Sequence, residues 1–158
     1  MTALERLLSD YDNALSGDAW YADSVWTLIS TISPEVAAWR PAPEAHTIWE
    51  LLEHMMYWES VVRERMTAPV TFSEERNFPK MPEPTDGNWN ALLERFRESN
   101  GRYRDALQQL DPARLDSITA GGKKTFYADA QGLIQHHIYH AGQIAMLKRL
   151  HAAGGGGL

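Results

Sequence analysis

The chain has 158 residues, 44% of them hydrophobic, with six Trp, which is enough apolar content for one substantial core and a single domain over residues 1–153. A formal charge of −6 with scattered Lys and Arg offers no basic stripe to a phosphate backbone, so nucleic acid is excluded as a partner; no stretch approaches the roughly 18 apolar residues of a membrane span. Cys is absent, which excludes a disulfide framework, a thiolate metal site and a protein thiol nucleophile.

In chain order, Leu4, Leu7, Leu8, Tyr11, Ala14 and Leu15 follow the helical period and predict a first helix from Ala3 that Gly17 interrupts. Glu5, Asp10, Asp12 and Asp18 break up this beginning, against an ordinary signal peptide, and a soluble, cytoplasmic protein is expected. Asp18 can cap a continuation through Trp20, Val25, Leu28, Ile29 and Ile32, making a corner at residues 17–21 with Trp20 packed beneath it. Ser33, Pro34 and Glu35 read as a cap and first turn of a short helix through Trp39, which Arg40-Pro41-Ala42-Pro43 stops.

The second main helix begins at Thr47, with Glu50 three residues on as a capping box, and runs to about Met66. Its predicted core face is Ile48, Leu51, Leu52, Met55, Trp58, Val62 and Met66, with His54 at the edge. Residues 67–87 hold Pro69, Pro79, Pro82 and Pro84 and no helical period, a connection long enough to be an active-site cover or a crossover; Phe72, Phe78 and Met81 predict that it packs down.

A third helix is expected from about Asn88 to Leu110, with Gly101 weakening its middle and its charged residues forming a solvated face. After Asp111-Pro112, a loop through Gly121-Gly122 leads to a fourth helix from about Tyr127 to His151. The tail, residues 154–158, is flexible by composition. Four apolar-striped helices and no alternating strand pattern specify an all-α helix bundle.

The chemistry concentrates in Gln135-His136-His137-Ile138-Tyr139-His140-Ala141-Gly142-Gln143-Ile144. His136 and His140, four apart, project from one side of the fourth helix, close enough for both imidazoles to reach one ion. His54 on the second helix is the candidate third ligand, and three neutral imidazoles leave coordination positions open, the pattern of a catalytic site. A His beside an apolar helix face is more often a hydrogen-bonded core residue than a ligand, so the i, i+4 pair alone does not decide between the two readings.

His137 is rotated by about 100° from His136 and reads as a packing residue. His46 and His151 read as capping, surface or helix-end residues, and Tyr57, Trp58, Tyr127 and Tyr139 as core or pocket wall. Glu50 and Gln143 can orient ligands, though Glu50 fits the capping box better; Gly142 can permit close helix approach. No general base is singled out by spacing.

Arg40-Pro41, the run Ala45-His46-Thr47-Ile48-Trp49-Glu50-Leu51-Leu52-Glu53-His54, and His136 to His140 with Ala141-Gly142-Gln143-Ile144 together resemble the DinB/YfiT-like family over nearly the whole chain. The resemblance implies a four-helix bundle with a long crossover between the second and third helices, often homodimeric, and a divalent metal held by His54, His136 and His140. Zinc or nickel is the expected ion, with iron also admitted. It further implies an enzyme that transfers a low-molecular-weight thiol to a small electrophilic substrate through a metal-bound thiolate. Hydrolysis by metal-bound hydroxide and non-catalytic metal or small-ligand binding stand as alternatives. With no Cys in the chain, the sulfur of a thiol reaction must arrive on a cosubstrate.

Overall fold

Four threonines set the starts of the long helices. Thr2, Thr47, Thr85 and Thr125 each turn a side-chain oxygen onto the amide three residues on, giving α1 (Ala3–Leu15), α4 (Ile48–Arg65), α6 (Asp86–Gln108) and α7 (Phe126–Ala152). At Thr2 and Thr47 the bond is reciprocated by Glu5 and Glu50, completing capping boxes. Thr85 and Thr125 have Asn88 and Ala128 three residues on and so lack that signature. This is why the sequence places the starts of α6 and α7 slightly late, at Asn88 and Tyr127.

The computed structural model describes residues 1–154; the flexibility expected of the tail falls largely on residues 155–158, outside the described residues. Among the described residues the chain is all-helical. The shorter elements are α2 (Val25–Ile29), α3 (Pro34–Ala38), α5 (Glu74–Asn77) and a single 3₁₀ turn, and Ile118 and Thr125 form one isolated bridge. No helix there is long and apolar enough to cross a membrane.

α4 packs against both α6 and α7, α1 packs against the same two helices, and α2 lies on α7. The shared core comprises Leu7 and Tyr11 of α1, Leu51, Leu52 and Met55 of α4, Leu92, Phe96, Tyr103 and Leu107 of α6, and Ile134 and Ile144 of α7. Each such apolar side chain contributes roughly 1.5–3 kcal/mol when fully removed from water. Trp58 and Met66, expected in the core face of α4, are only partly buried at its margin.

The expected corner after α1 is corrected by the structure. The Gly17 amide bonds back to the Asp12 carbonyl at 2.9 Å, closing the helix, and a Cβ at this position would lie 2.8 Å from Asn13 Cα. No helical continuation follows Asp18; the next helix starts at Val25 after Ser24. Trp20 therefore has no helix face to carry it inward and is 100% exposed. Gly142, expected to bring two helices together, is exposed on α7, and nothing lies within 4 Å of a Cβ built there.

Candidate metal centre

His54 comes from the middle of α4, and His136 and His140 from successive turns of α7, against which α4 packs. The structure brings all three together. The Nε2 atoms of His54 and His140 each lie 2.9 Å from His136 Nε2, and one ring nitrogen from each residue falls within 4.8 Å of the others. Ligands that share one ion at metal–nitrogen distances of about 2.1 Å sit about 3.0 Å apart at right angles and about 3.4 Å apart at tetrahedral angles. The three histidines are thus a group that can hold a metal ion.

The proton arrangement points the same way. His54 Nδ1 faces Asn77 Oδ1 at 2.6 Å, and His140 Nδ1 faces Gln143 Oε1 at 2.5 Å. A carbonyl oxygen only accepts, so both Nδ1 atoms carry the proton and both Nε2 atoms present lone pairs to His136. A single N–H on His136 can point at only one of them, whereas a cation at the centre satisfies all three. His136 Nδ1, on the far side of its ring, is buried and has no partner.

Desolvation keeps the rings neutral. Burial, reinforced by His140, His137 and His54, holds His136 down to about 3. Burial likewise lowers His140 to about 4 against the opposing bond to Gln143, and it lowers His54 against the bond to Asn77. All three lone pairs are therefore available at neutral pH.

The long connection covers this group. Phe78 lies flat on His54, with centroids 4.6 Å apart and planes at 11°, and its other neighbour His46 stacks at 4.2 Å and 3°. Asn77, buried at the end of α5, supplies the oxygen that orients His54. Tyr57 anchors the start of the segment by accepting the Ser73 amide at 2.8 Å. Of the two roles expected for this connection, the cover is visible directly. Asn77 itself carried no signal in the sequence, since it sits in a stretch without period; of Phe72, Phe78 and Met81, expected to pack the connection down, Phe78 and Met81 do so and Phe72 is 55% exposed.

His137 is fully buried and is no part of the group, as its rotation around α7 predicts. Its Nε2–H donates to Glu59 Oε1 at 2.8 Å, and the same oxygen accepts from Tyr11 Oη at 2.7 Å and Asn100 Nδ2 at 2.8 Å. Ser99 Oγ donates to the other oxygen at 2.5 Å. One buried carboxylate therefore ties α1, α4, α6 and α7 together and fixes the rotation of α7 that aims His136 and His140 at His54. Nothing in the local spacing marks Glu59 as the acid on which four helices converge.

Glu50 caps α4, as expected. Burial pushes it up, but bonds from Arg40 at 2.5 Å and the Thr47 amide at 2.9 Å outweigh this and lower it overall. Gln143 orients His140, while Tyr139 is exposed and Tyr127 half-exposed. His151 packs edge-on against Trp39, and His46 is half-exposed; neither reaches the triad.

Helices alone, with three convergent imidazoles between two of them, define an all-helical protein whose histidine group can hold a metal ion. A family model described as DinB superfamily matches residues 20–144, a span that includes all three histidines, and the chain belongs to that superfamily. No curated protein and no solved structure gives a significant match.

Proposed function

We propose that the protein is a divalent-metal-dependent enzyme that transfers a low-molecular-weight thiol to a small electrophilic substrate, with His54, His136 and His140 as the metal ligands. The observation that carries the metal site is the convergence of three neutral Nε2 atoms, two of them fixed as lone pairs by Asn77 and Gln143. The packing of α1, α4, α6 and α7 supports a four-helix bundle in which the connection between α4 and α6 that covers the histidines is the crossover. Three imidazole nitrogens suit zinc or nickel and admit iron.

When bound, such an ion supplies Lewis acidity that lowers the pKa of a thiol or water brought to it. The chain's own residues supply the rest. Asn77 and Gln143 hold two rings in the tautomer that ligates, Phe78 shields His54, and Trp58 stands edge-on to His136 with centroids 6.2 Å apart as a wall of the site. The lack of any Cys supports a sulfur nucleophile carried by a cosubstrate, because no protein thiolate competes for the ion.

Elemental analysis of the purified protein beside His54→Ala and His140→Ala tests the site. About one equivalent of a divalent metal is expected in the parent chain and a large loss in both variants. Equal metal content in all three would overturn the assignment. A screen of low-molecular-weight thiols with small electrophiles then reads thiol consumption. Turnover of esters or amides without thiol would establish hydrolysis instead, and metal binding without any turnover would leave a binding protein.

A further inference from the structure

A cavity of about 220 Å³ opens beside the histidine group, with Trp58, Arg65, Lys124, Asp129 and His136 in its lining. Arg65 is the last residue of α4, and Lys124 directly precedes the cap of α7, so two different elements deliver cations to one space. The Arg65 guanidinium lies 5.9 Å from the Trp58 ring centroid, and the same ring stands against His136. The cations and the proposed metal site therefore share a wall.

Neither cation is held in an ion pair among the described residues. Acids outnumber bases by 21 to 15, and Arg63, two residues earlier on α4, pairs with Glu64 at 4.0 Å. Among the described residues Arg65 Nε is out of contact with solvent without any acceptor. A buried donor left unmade is costly and calls for a partner. Asp129, also in the lining, accepts from Thr119 Oγ1 at 3.4 Å; one acid against two cations leaves the formal charge of the lining positive.

We propose that this cavity is the subsite for an oxyanion carried by the small molecule processed at the histidine group. A carboxylate or phosphate group would sit between Arg65 and Lys124, with Trp58 as an apolar wall and the rest of the molecule extending toward His136. The planar fork of Arg65 suits either oxyanion. A cavity smaller than the roughly 300–1,000 Å³ of drug-sized sites favours a compact substrate. The assignment deepens the metal-enzyme reading and rests on it for what lies at the His136 end.

The test is calorimetric titration of the chelator-stripped full chain with succinate and, separately, with inorganic phosphate, alongside Arg65→Gln, Lys124→Gln and Arg63→Gln. Saturable binding of at least one anion is expected, weakened by about tenfold or more in Arg65→Gln and Lys124→Gln and unchanged in Arg63→Gln. Preference for succinate identifies a carboxylate and preference for phosphate a phosphoryl group. No saturable binding of either anion, or equal affinity in Arg65→Gln, overturns the subsite. Circular dichroism and melting of each variant show that these side-chain exchanges leave the fold in place. Because no metal is present in the titration, a failed anion site leaves the metal content of the parent chain untouched, and a failed metal site leaves the titration intact.

Discussion

Replacing Glu59 tests whether the buried polar network holds the helices that carry the histidines. The carboxylate is 1% exposed and accepts from Tyr11, Ser99, Asn100 and His137. In Glu59→Leu, Tyr11 can fall back on the Asn100 carbonyl at 3.3 Å and the part-buried Ser99 can turn elsewhere, but Asn100 Nδ2 and His137 Nε2 lose their acceptor. At about 1–3 kcal/mol for each buried donor left unpaired, the loss is about 4 kcal/mol. Glu59→Gln keeps an oxygen where three donors converge; it gives up the charge and turns the second oxygen into an NH2 group that Ser99 must now accept from, which together cost about 1–2 kcal/mol. With a urea slope of about 2 kcal/mol per molar, the midpoint should fall by about 2 M for the Leu variant and by less than about 1 M for the Gln variant. A Glu59→Leu midpoint equal to or above the parent's would show that apolar packing replaces the network freely, and the locking role would be wrong.

Acidification should weaken the metal-free protein, with the sign set by the direction of the histidine shifts. The unfolded chain takes up protons on His54, His136 and His140 near 6.5, whereas the folded chain leaves His140 neutral to about 4 and His136 to about 3. The unfolded state thus binds more protons, so stability is full above pH 6.5 and falls as pH drops toward 3, by roughly 1 kcal/mol for each of His136 and His140 at pH 5 after solvent screening, with His54 adding in the same direction; a flat urea midpoint from pH 7.5 to 5 would contradict this. Asn77→Leu removes the acceptor that fixes the His54 tautomer and should lower metal affinity by about 10–100-fold in a competition titration against a chromophoric chelator; unchanged affinity would deny Asn77 the orienting role. Gly121→Ala places a Cβ 2.7 Å from both the Ala68 carbonyl and Pro69 Cα, backbone that cannot swing aside, and should cost about 1–3 kcal/mol, seen as a melting temperature lower by about 2–4 °C per kcal/mol. An unchanged melting temperature would mean that the loop lies free of that backbone.

What the sequence disclosed follows the range over which each signal acts. Capping at Thr47, the proline start of α3 and the apolar period of α4 and α7 are set by residues within one or two turns, and they can be read directly. The triad was legible because two of its members share one helix at i, i+4, and the third stands out as a histidine at the edge of an apolar row. Of its supports, Gln143 was legible because it follows His140 by three residues on the same helix, and the others were not. Asn77 reaches His54 across 23 positions and Glu59 reaches His137 across 78, and bonds that close only after folding leave no period behind. Trp20 misled for the opposite reason: its apolar character fits a helical stripe, but Gly17 ends α1 before the stripe can continue.

The order His136, His137, His140 on one helix links stability to chemistry. Successive residues are turned by about 100°, so fixing His137 on Glu59 of α4 forces its neighbour His136, and with it His140, toward His54 on the same helix. The core thereby determines where the two imidazoles point. That constraint is unfavourable without an ion, because it desolvates three rings and leaves at least one of the two 2.9 Å contacts with lone pairs facing each other. Hydrophobic burial and the Glu59 contacts must offset it. A chain that brings three buried ring nitrogens together with fewer protons than the contacts need leaves the stabilisation to be recovered when a cation arrives, which is how a binding site comes to be preorganised rather than induced.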